Sequence, residues 1–205
     1  MLKRILDFFI ALLALVLLSP IFLLVALKVR KNLGSPIFFL QERPGKDGKI
    51  FKMIKFRSMK DAIDNYGNLL PDEERITPFG HKLRSTTLDE MPQLINVLKG
   101  DMSIVGPRPQ LADFMQHYTP RQMRRHEVRP GMTGLAQVSG RNNLSWEEKF
   151  ELDVKYVEQH NIWLDFKIMV KTVQVMLKKE GINAPDQLVG ASRFSGSTKK
   201  DEVQY

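Results

Sequence analysis

Asp89 and Glu90 are neighbouring carboxylates inside residues 84–109, RSTTLDEMPQLINVLKGDMSIVGPRP. A carboxylate can attack phosphorus and form an acyl phosphate, which splits one difficult group transfer into two easier steps. A diphosphate repels such a nucleophile, so the chemistry calls for cations: arginine forks, or a divalent ion on oxygen ligands. Arg84 lies upstream of the pair, Pro107-Arg108-Pro109 closes the run, and Arg129 and Arg141 bracket the glycine-rich RPGMTGLAQVSGR. Arginine binds phosphate bidentately, and glycine lets backbone approach it closely. Taken singly, each arginine reads as a solvated charge, and the acids as a complement to a helix dipole. Their joint placement in Pro/Gly loops favours phosphate, with Glu90 set to hold a cation beside Asp89.

Several other chemistries lack their residues. There is no GxGxxG, no GxxxxGK[ST], no GxSxG elbow and no Asp-x-Asp, so dinucleotide folds, P-loops and serine hydrolases have no support. Cysteine is absent, which removes disulfides and thiolate metal sites. His81, His117, His126 and His160 are scattered without zinc spacing and read as structural or surface residues.

The elements that must position these residues form one α/β (α+β) domain over residues 32–189, around a small sheet. Residues 36–41 and 50–56 read as strands joined by a turn at Pro44-Gly45-Lys46-Asp47-Gly48. Residues 61–74 read as helix fragments and loop. A helix over 92–98 places Met91, Leu94, Ile95 and Leu98 on one apolar face, with Thr86 or Thr87 as a cap and Pro92 in the first turn. Residues 111–118 suggest a short helix, and 129–141 a loop with a strand-like centre. Residues 146–159 are amphipathic through Phe150, Val154 and Val157. Residues 163–179 are amphipathic through Phe166, Val170, Val173 and Leu177, a face that suits either a core or the headgroup layer. Residues 190–205, rich in Ser, Gly and Lys, read as a disordered tail.

The net charge of +8, from 31 Lys and Arg against 23 Asp and Glu, asks for an anionic partner. Residues 8–27, FFIALLALVLLSPIFLLVAL, carry no charge. As a straight helix they would measure roughly 30 Å, the thickness of a bilayer core. Lys3 and Arg4 precede this run and Lys28, Arg30 and Lys31 follow it, so both ends favour the cytoplasmic side. Ser19-Pro20 interrupts it. Either two half-helices enter and leave on one face, with the serine hydroxyl satisfying a freed backbone group, or a kinked helix spans. The residues leave both open.

KFRSM at residues 55–59, LDEMPQLINVLKGDMSIVGPRP and RPGMTGLAQVSGR, in that order, resemble the bacterial sugar transferases, the monotopic phosphoglycosyl transferases, across residues 1–185. With no further apolar span ahead of Lys3, the chain looks like the minimal members, especially those that hand diacetylbacillosamine phosphate to undecaprenyl phosphate in bacterial protein N-glycosylation. The resemblance implies a re-entrant membrane helix over residues 1–31, broken at Ser19-Pro20, and a catalytic domain on the cytoplasmic face of the inner membrane. It implies Mg²⁺-dependent, two-step transfer from a UDP-sugar, UDP-N,N'-diacetylbacillosamine first among them, to undecaprenyl phosphate with release of UMP. Asp89 matches the family's nucleophile and Glu90 its partner, with the metal held at this pair. Pro107-Arg108-Pro109 matches the segment near the nucleotide, and Arg84, Arg129 and Arg141 are phosphate contacts on the same likeness.

Two rival readings stand beside it. One is direct attack by the lipid phosphate in a ternary complex, on another UDP-sugar, for capsule, O-antigen or exopolysaccharide synthesis. The other is a membrane-tethered basic module without chemistry. Such a module would gather its basic residues along a helix and have no use for an acidic pair, which argues against nucleic acid as a partner.

Overall fold

A computed structural model describes residues 1–140, 143–178, 194 and 196. Its contacts divide the described chain into two units, Met1–Gln41 with Lys52–Gly100, and Glu42–Phe51 with residues 101–178, 194 and 196.

The first unit opens with α1 (Leu2–Leu33), 32 residues long, which is long and apolar enough to cross a membrane. Its buried residues, Asp7, Ala11, Val25 and Val29, lie towards the two ends, while Val16, Leu17, Leu18 and Ile21 are exposed. The helical backbone continues through Ser19-Pro20, where the sequence led us to expect an interruption. The reason is local. Pro20 lacks the amide that would donate to the carbonyl of Val16, four residues back, and Ser19 Oγ donates to that same carbonyl at 2.8 Å.

β1 (Phe38–Pro44) and β2 (Ile50–Phe56) form a two-stranded sheet. β1 starts two residues later than its apolar pattern suggested and runs on into the turn. In that turn, Asp47 and Gly48 take positive φ and Gly45 N–H donates to Lys49 O at 2.8 Å. Two short helices follow, α2 (Asp72–Arg75) and α3 (Pro78–Ser85), and then α4 (Gln93–Lys99). Val25 and Val29 from α1 join Phe56, Leu83 and Met91 in the core of this unit.

The one-sided apolar face expected of α4 needs correction. Gln93, Leu94, Asn96 and Val97 are all buried, because strand backbone and α1 enclose the helix. Asn96 Nδ2 donates to Lys52 O at 2.8 Å while its Oδ1 accepts from Ile54 N–H at 2.9 Å. From α1, Arg4 donates to the carbonyls of Val97 and Leu98. Closed in on several sides, the helix leaves only Lys99, at its end, exposed.

The second unit holds a separate two-stranded sheet, so the single small sheet of the sequence reading is in fact two. β3 (Ser103–Val105) pairs in parallel with β4 (Gly131–Thr133) in the register Ser103↔Gly131 and Val105↔Thr133. The crossover carries a 3-10 turn at Ala112–His117, α5 (Pro120–Met123) and a second 3-10 turn at Arg124–Glu127. A short helix that the loop reading missed, α6 (Leu135–Ser139), follows β4, and then come α7 (Trp146–Gln159) and α8 (Ile162–Lys178).

α7 begins where Ser145 and Glu148 form a capping box and buries Phe150, Val154 and Val157 as its periodicity requires. α8 resolves the ambiguity of its sequence. Asp165 and Ile168 are its buried side, whereas Phe166, Val170, Val173 and Leu177 are 42–79% exposed. The conspicuous apolar face therefore does not pack on this core. Of residues 190–205, only Phe194 and Gly196 are among the described residues. Phe194 is buried with Phe114 and Phe150; the rest of the expected tail lies outside.

Candidate active site

In the first unit, α3 starts at Thr77, whose Oγ1 accepts from Gly80 N–H at 3.1 Å, with Pro78 in its first turn. Gly80 is needed for close approach, since a Cβ there would stand 1.9 Å from Ser58 O. That contact brings α3 against the backbone just past β2 and sets Arg84 Nε 3.0 Å from Ser58 Oγ. Thr86 does not cap α4. Its Oγ1 bonds back to the Leu83 and Lys82 carbonyls and closes α3.

Thr87 then takes the left-handed conformation, φ 60 and ψ 10. A β-branched residue there costs about 1–3 kcal/mol, and such strain concentrates at functional sites. The reversal leads directly into the 3-10 turn Leu88–Glu90. The acid pair thus occupies its own turn, with Pro92 as the N-cap of α4, rather than the first turn of that helix. Leu88 and Met91 pack in the core on either side of it. Asp89 is 7% exposed, and Glu90 Oε1 lies 2.7 Å from Lys55 Nζ. The cation on this pair was missed by sequence reasoning. Lys55 was visible in KFRSM, but without a fold it is one more strand lysine.

In the second unit, β3 leads into Gly106-Pro107-Arg108-Pro109. Two prolines remove two amide donors from this loop, so its carbonyls must be held from outside. Gly131 N–H donates to Pro107 O at 2.9 Å, Arg125 Nη2 to Arg108 O at 2.7 Å and Arg43 Nη1 to Pro109 O at 3.4 Å. The parallel pairing also carries Arg129 to this loop, because a Cβ on Gly106 would lie 2.4 Å from Arg129 O. The backbone at Arg129 thus runs beside the start of the loop that carries Arg108, while Arg141 lies outside the described residues. The glycines of this region are required by backbone packing. Cβ atoms at Gly106, Gly131 and Gly134 would each come within 2.4 Å of backbone, so these positions let the chain pack on itself.

Arg125 was also missed. Its side chain is 1% exposed, donates to Asp153 Oδ2 through Nε and Nη2 at 3.1 and 2.6 Å, and donates to Tyr118 Oη at 2.8 Å. Beside it, burial and then the Arg125 charge hold His126 down to about 4 from its ordinary 6.5, against a raising hydrogen bond to Gly45 O. The ring is therefore neutral at pH 7, with Nδ1 3.2 Å from Gly45 O. It borders a small cleft with Pro44, Pro107, Arg108 and Pro130. The structural role assigned to His126 from sequence fits this placement.

The structure thus sets Asp89, Glu90, Arg84 and Lys55 in the first unit, and Pro107, Arg108, Pro109 and Arg129 in the second. The first unit also carries the one helix among the described residues that is long and apolar enough to cross a membrane. Residues 1–179 match the family described as Bacterial sugar transferase, and the chain belongs to that family. It is similar to the uncharacterized sugar transferase EpsL of Bacillus subtilis, 53% identical over 96% of each chain. It is also similar to the galactosyl transferase CpsE of Streptococcus agalactiae, 41% identical over 87% of this chain and 43% of that one. The UDP-glucose:undecaprenyl-phosphate glucose-1-phosphate transferase of Klebsiella pneumoniae is 41% identical over 83% of this chain and 39% of its own length. The chain spans about two-fifths of these last two relatives. Family membership sets aside the basic module without chemistry.

Proposed function

We propose that the protein transfers a sugar phosphate from a UDP-sugar to undecaprenyl phosphate through an aspartyl-phosphosugar. An Asp89 carboxylate oxygen attacks the β-phosphorus, the bond to the bridging oxygen breaks, and UMP leaves with that oxygen. An undecaprenyl phosphate oxygen then attacks the same phosphorus and frees the carboxylate. The observation that carries this reading is the buried Asp89 in a strained turn, next to a Glu90 already fixed by Lys55. Uridine diphosphate donors and the undecaprenyl carrier come from the names of relatives.

Mg²⁺ fits the donor set. Among the described residues no group of three His, Cys, Asp or Glu could cage a metal, and Mg²⁺ typically takes one or two carboxylates with substrate phosphates completing its shell. Asp89 and Glu90 would hold it, and it would offset the charge of the pyrophosphate.

The same reading places α1 in the inner membrane as a re-entrant element with the catalytic residues on the cytoplasmic face. Arg4 holds its amino end at the carboxyl end of α4, while Val25 and Val29 pack with Met91 just before that helix. As a straight rod, the residues from 4 to 25 would span about 32 Å, against about 9 Å from Met91 to Val97 along α4. Two arms returning to one side, with the exposed middle in lipid, satisfy both contacts. An open groove of Pro20, Leu23, Leu24 and Leu27 ending at Lys28 and Lys31 suits a prenyl chain with a phosphate head. The exposed face of α8, carrying Trp163 and Phe166, suits the headgroup layer.

Incubation with donor alone tests the scheme. One UMP per active site and a mass adduct on Asp89 are expected, and UMP release that waits for the lipid means a ternary complex instead. A panel of UDP-N,N'-diacetylbacillosamine, proposed on overall likeness, with UDP-glucose and UDP-galactose, which the relatives' names suggest, decides the sugar.

A further inference from the structure

Composition gives residues 190–205 no reason to fold, and Phe194 and Tyr205 are their only aromatic residues. Yet Phe194 is 5% exposed. Its ring centroid lies 4.9 Å from Phe150, edge-on, 5.6 Å from Phe114 and 5.9 Å from Tyr118. Two residues on, Gly196 turns at φ +109 where a Cβ would meet the Cβ of His117 at 4.0 Å. Phe150 and Tyr118 are also the two rings that carry the Arg125 guanidinium, at 5.2 and 5.5 Å.

We infer that Phe194 is a positioning residue for Arg108: it completes the aromatic floor under Arg125, and Arg125 holds the Arg108 carbonyl. This rests on the sequence reading of Arg108 as a residue near the donor nucleotide and its phosphates.

The physical link is water exclusion. A guanidinium as enclosed as Arg125 keeps one geometry only while its donors are matched and no solvent competes for them. Asp153, Tyr118 and Arg108 O are its acceptors. Removing the Phe194 ring opens space against Phe150 and Tyr118, and water there gives Arg125 other acceptors. Arg108, flanked by two prolines that lack amide donors, then loses the contact that sets its carbonyl. Stacking beside a cation is also worth more in a dry site. A segment far along the chain thereby tunes donor binding without touching donor.

The test uses the full-length chain with Phe194→Ala, Phe194→Leu, Arg108→Ala and the Phe194/Arg108 double variant. Michaelis constants are measured for the panel donor that is turned over best, alongside melting temperature and hydrogen exchange of residues 103–111. Phe194→Ala should raise KM for the donor roughly tenfold with a smaller change in kcat, and speed exchange in 103–111. Phe194→Leu, which refills most of the volume, should recover most of both and serves as the probe should alanine prevent folding. On the Arg108→Ala background, the Phe194 substitution should add less than about twofold to KM. An undiminished KM rise on that background overturns the inference, as does a lower melting temperature with KM and exchange unchanged. Should Arg108→Ala itself leave KM untouched, the phosphate role of Arg108 fails, and exchange of 103–111 in Phe194→Ala alone decides the coupling.

Discussion

Lys55 Nζ stands 2.7 Å from Glu90 Oε1, with 17% and 12% of the two side chains exposed. An ion pair this shielded fixes a carboxylate more firmly than a surface pair does, and losing one partner leaves the other charge poorly solvated. Lys55→Met should lower stability by about 2 kcal/mol and slow donor-only UMP release by about tenfold or more through a misplaced Glu90. Lys55→Arg, which keeps the charge, should fall between. Thermal denaturation and UMP assays measure the two effects separately. A wild-type rate in Lys55→Met means that the geometry of Glu90 does not matter to the reaction.

Asp89 and Glu90 are adjacent, yet the scheme gives them different fates. Asp89→Asn should abolish adduct formation, with UMP release down by ~10³-fold or more, because the amide is no nucleophile. Glu90→Gln removes cation-holding charge but leaves the nucleophile, so the adduct should still form, slowly. Intact-protein mass after donor alone distinguishes them. An adduct on the Asp89→Asn protein moves the nucleophile elsewhere.

Much of this was legible in the residues, and what was not has a physical cause. The run 84–109 and the acid pair announced themselves by chemistry and spacing, and α7 by its 3.6 period and its capping box. The surroundings of α4 were misread because periodicity assumes that polar residues face water, and here Gln93 and Asn96 are buried. The faces of α8 were read correctly as a pattern, but a pattern cannot say which side meets protein. Asp165, a polar residue, is on the buried side because it reaches Tyr156 Oη at 2.6 Å. The contacts of Lys55, Arg125 and Phe194 were hidden for a common reason. Each acts through a partner distant in sequence, and neither local propensity nor spacing records that.

His126 gives the fold an acid limb. Its folded value of about 4 lies below its ordinary 6.5, so between those pH values the unfolded chain binds a proton that the fold excludes. Stability is therefore fully present above about pH 6.5 and lost as pH falls through 6.5 towards 4. Between pH 7.5 and pH 5 this one group should remove about 2 kcal/mol. His126→Leu, though less stable at pH 7.5, should show a smaller drop over the same interval. Equal drops in the two proteins would place the acid sensitivity in other groups.

Ser19 and Pro20 make the last prediction. With Pro20 in place, the Val16 carbonyl loses its helical donor and the Ser19 hydroxyl stands in at 2.8 Å, so the helix can bend there without leaving that acceptor bare in lipid. The Ser19→Ala/Pro20→Ala pair restores a backbone amide at residue 20 and removes the competing hydroxyl, which favours a straight helix of 32 residues, long enough to span. Because the chain has no cysteine, a single Leu2→Cys reports where the amino end lies. In the otherwise native chain, an impermeant thiol reagent should label it from the same side as Lys31→Cys. In the Ser19→Ala/Pro20→Ala background, part of the population should become labelled from the opposite side, and UMP release should fall with it, since Arg4 can no longer reach α4. Labelling of Leu2→Cys from the opposite side in the native background would make α1 a spanning helix and remove the geometric basis for its return.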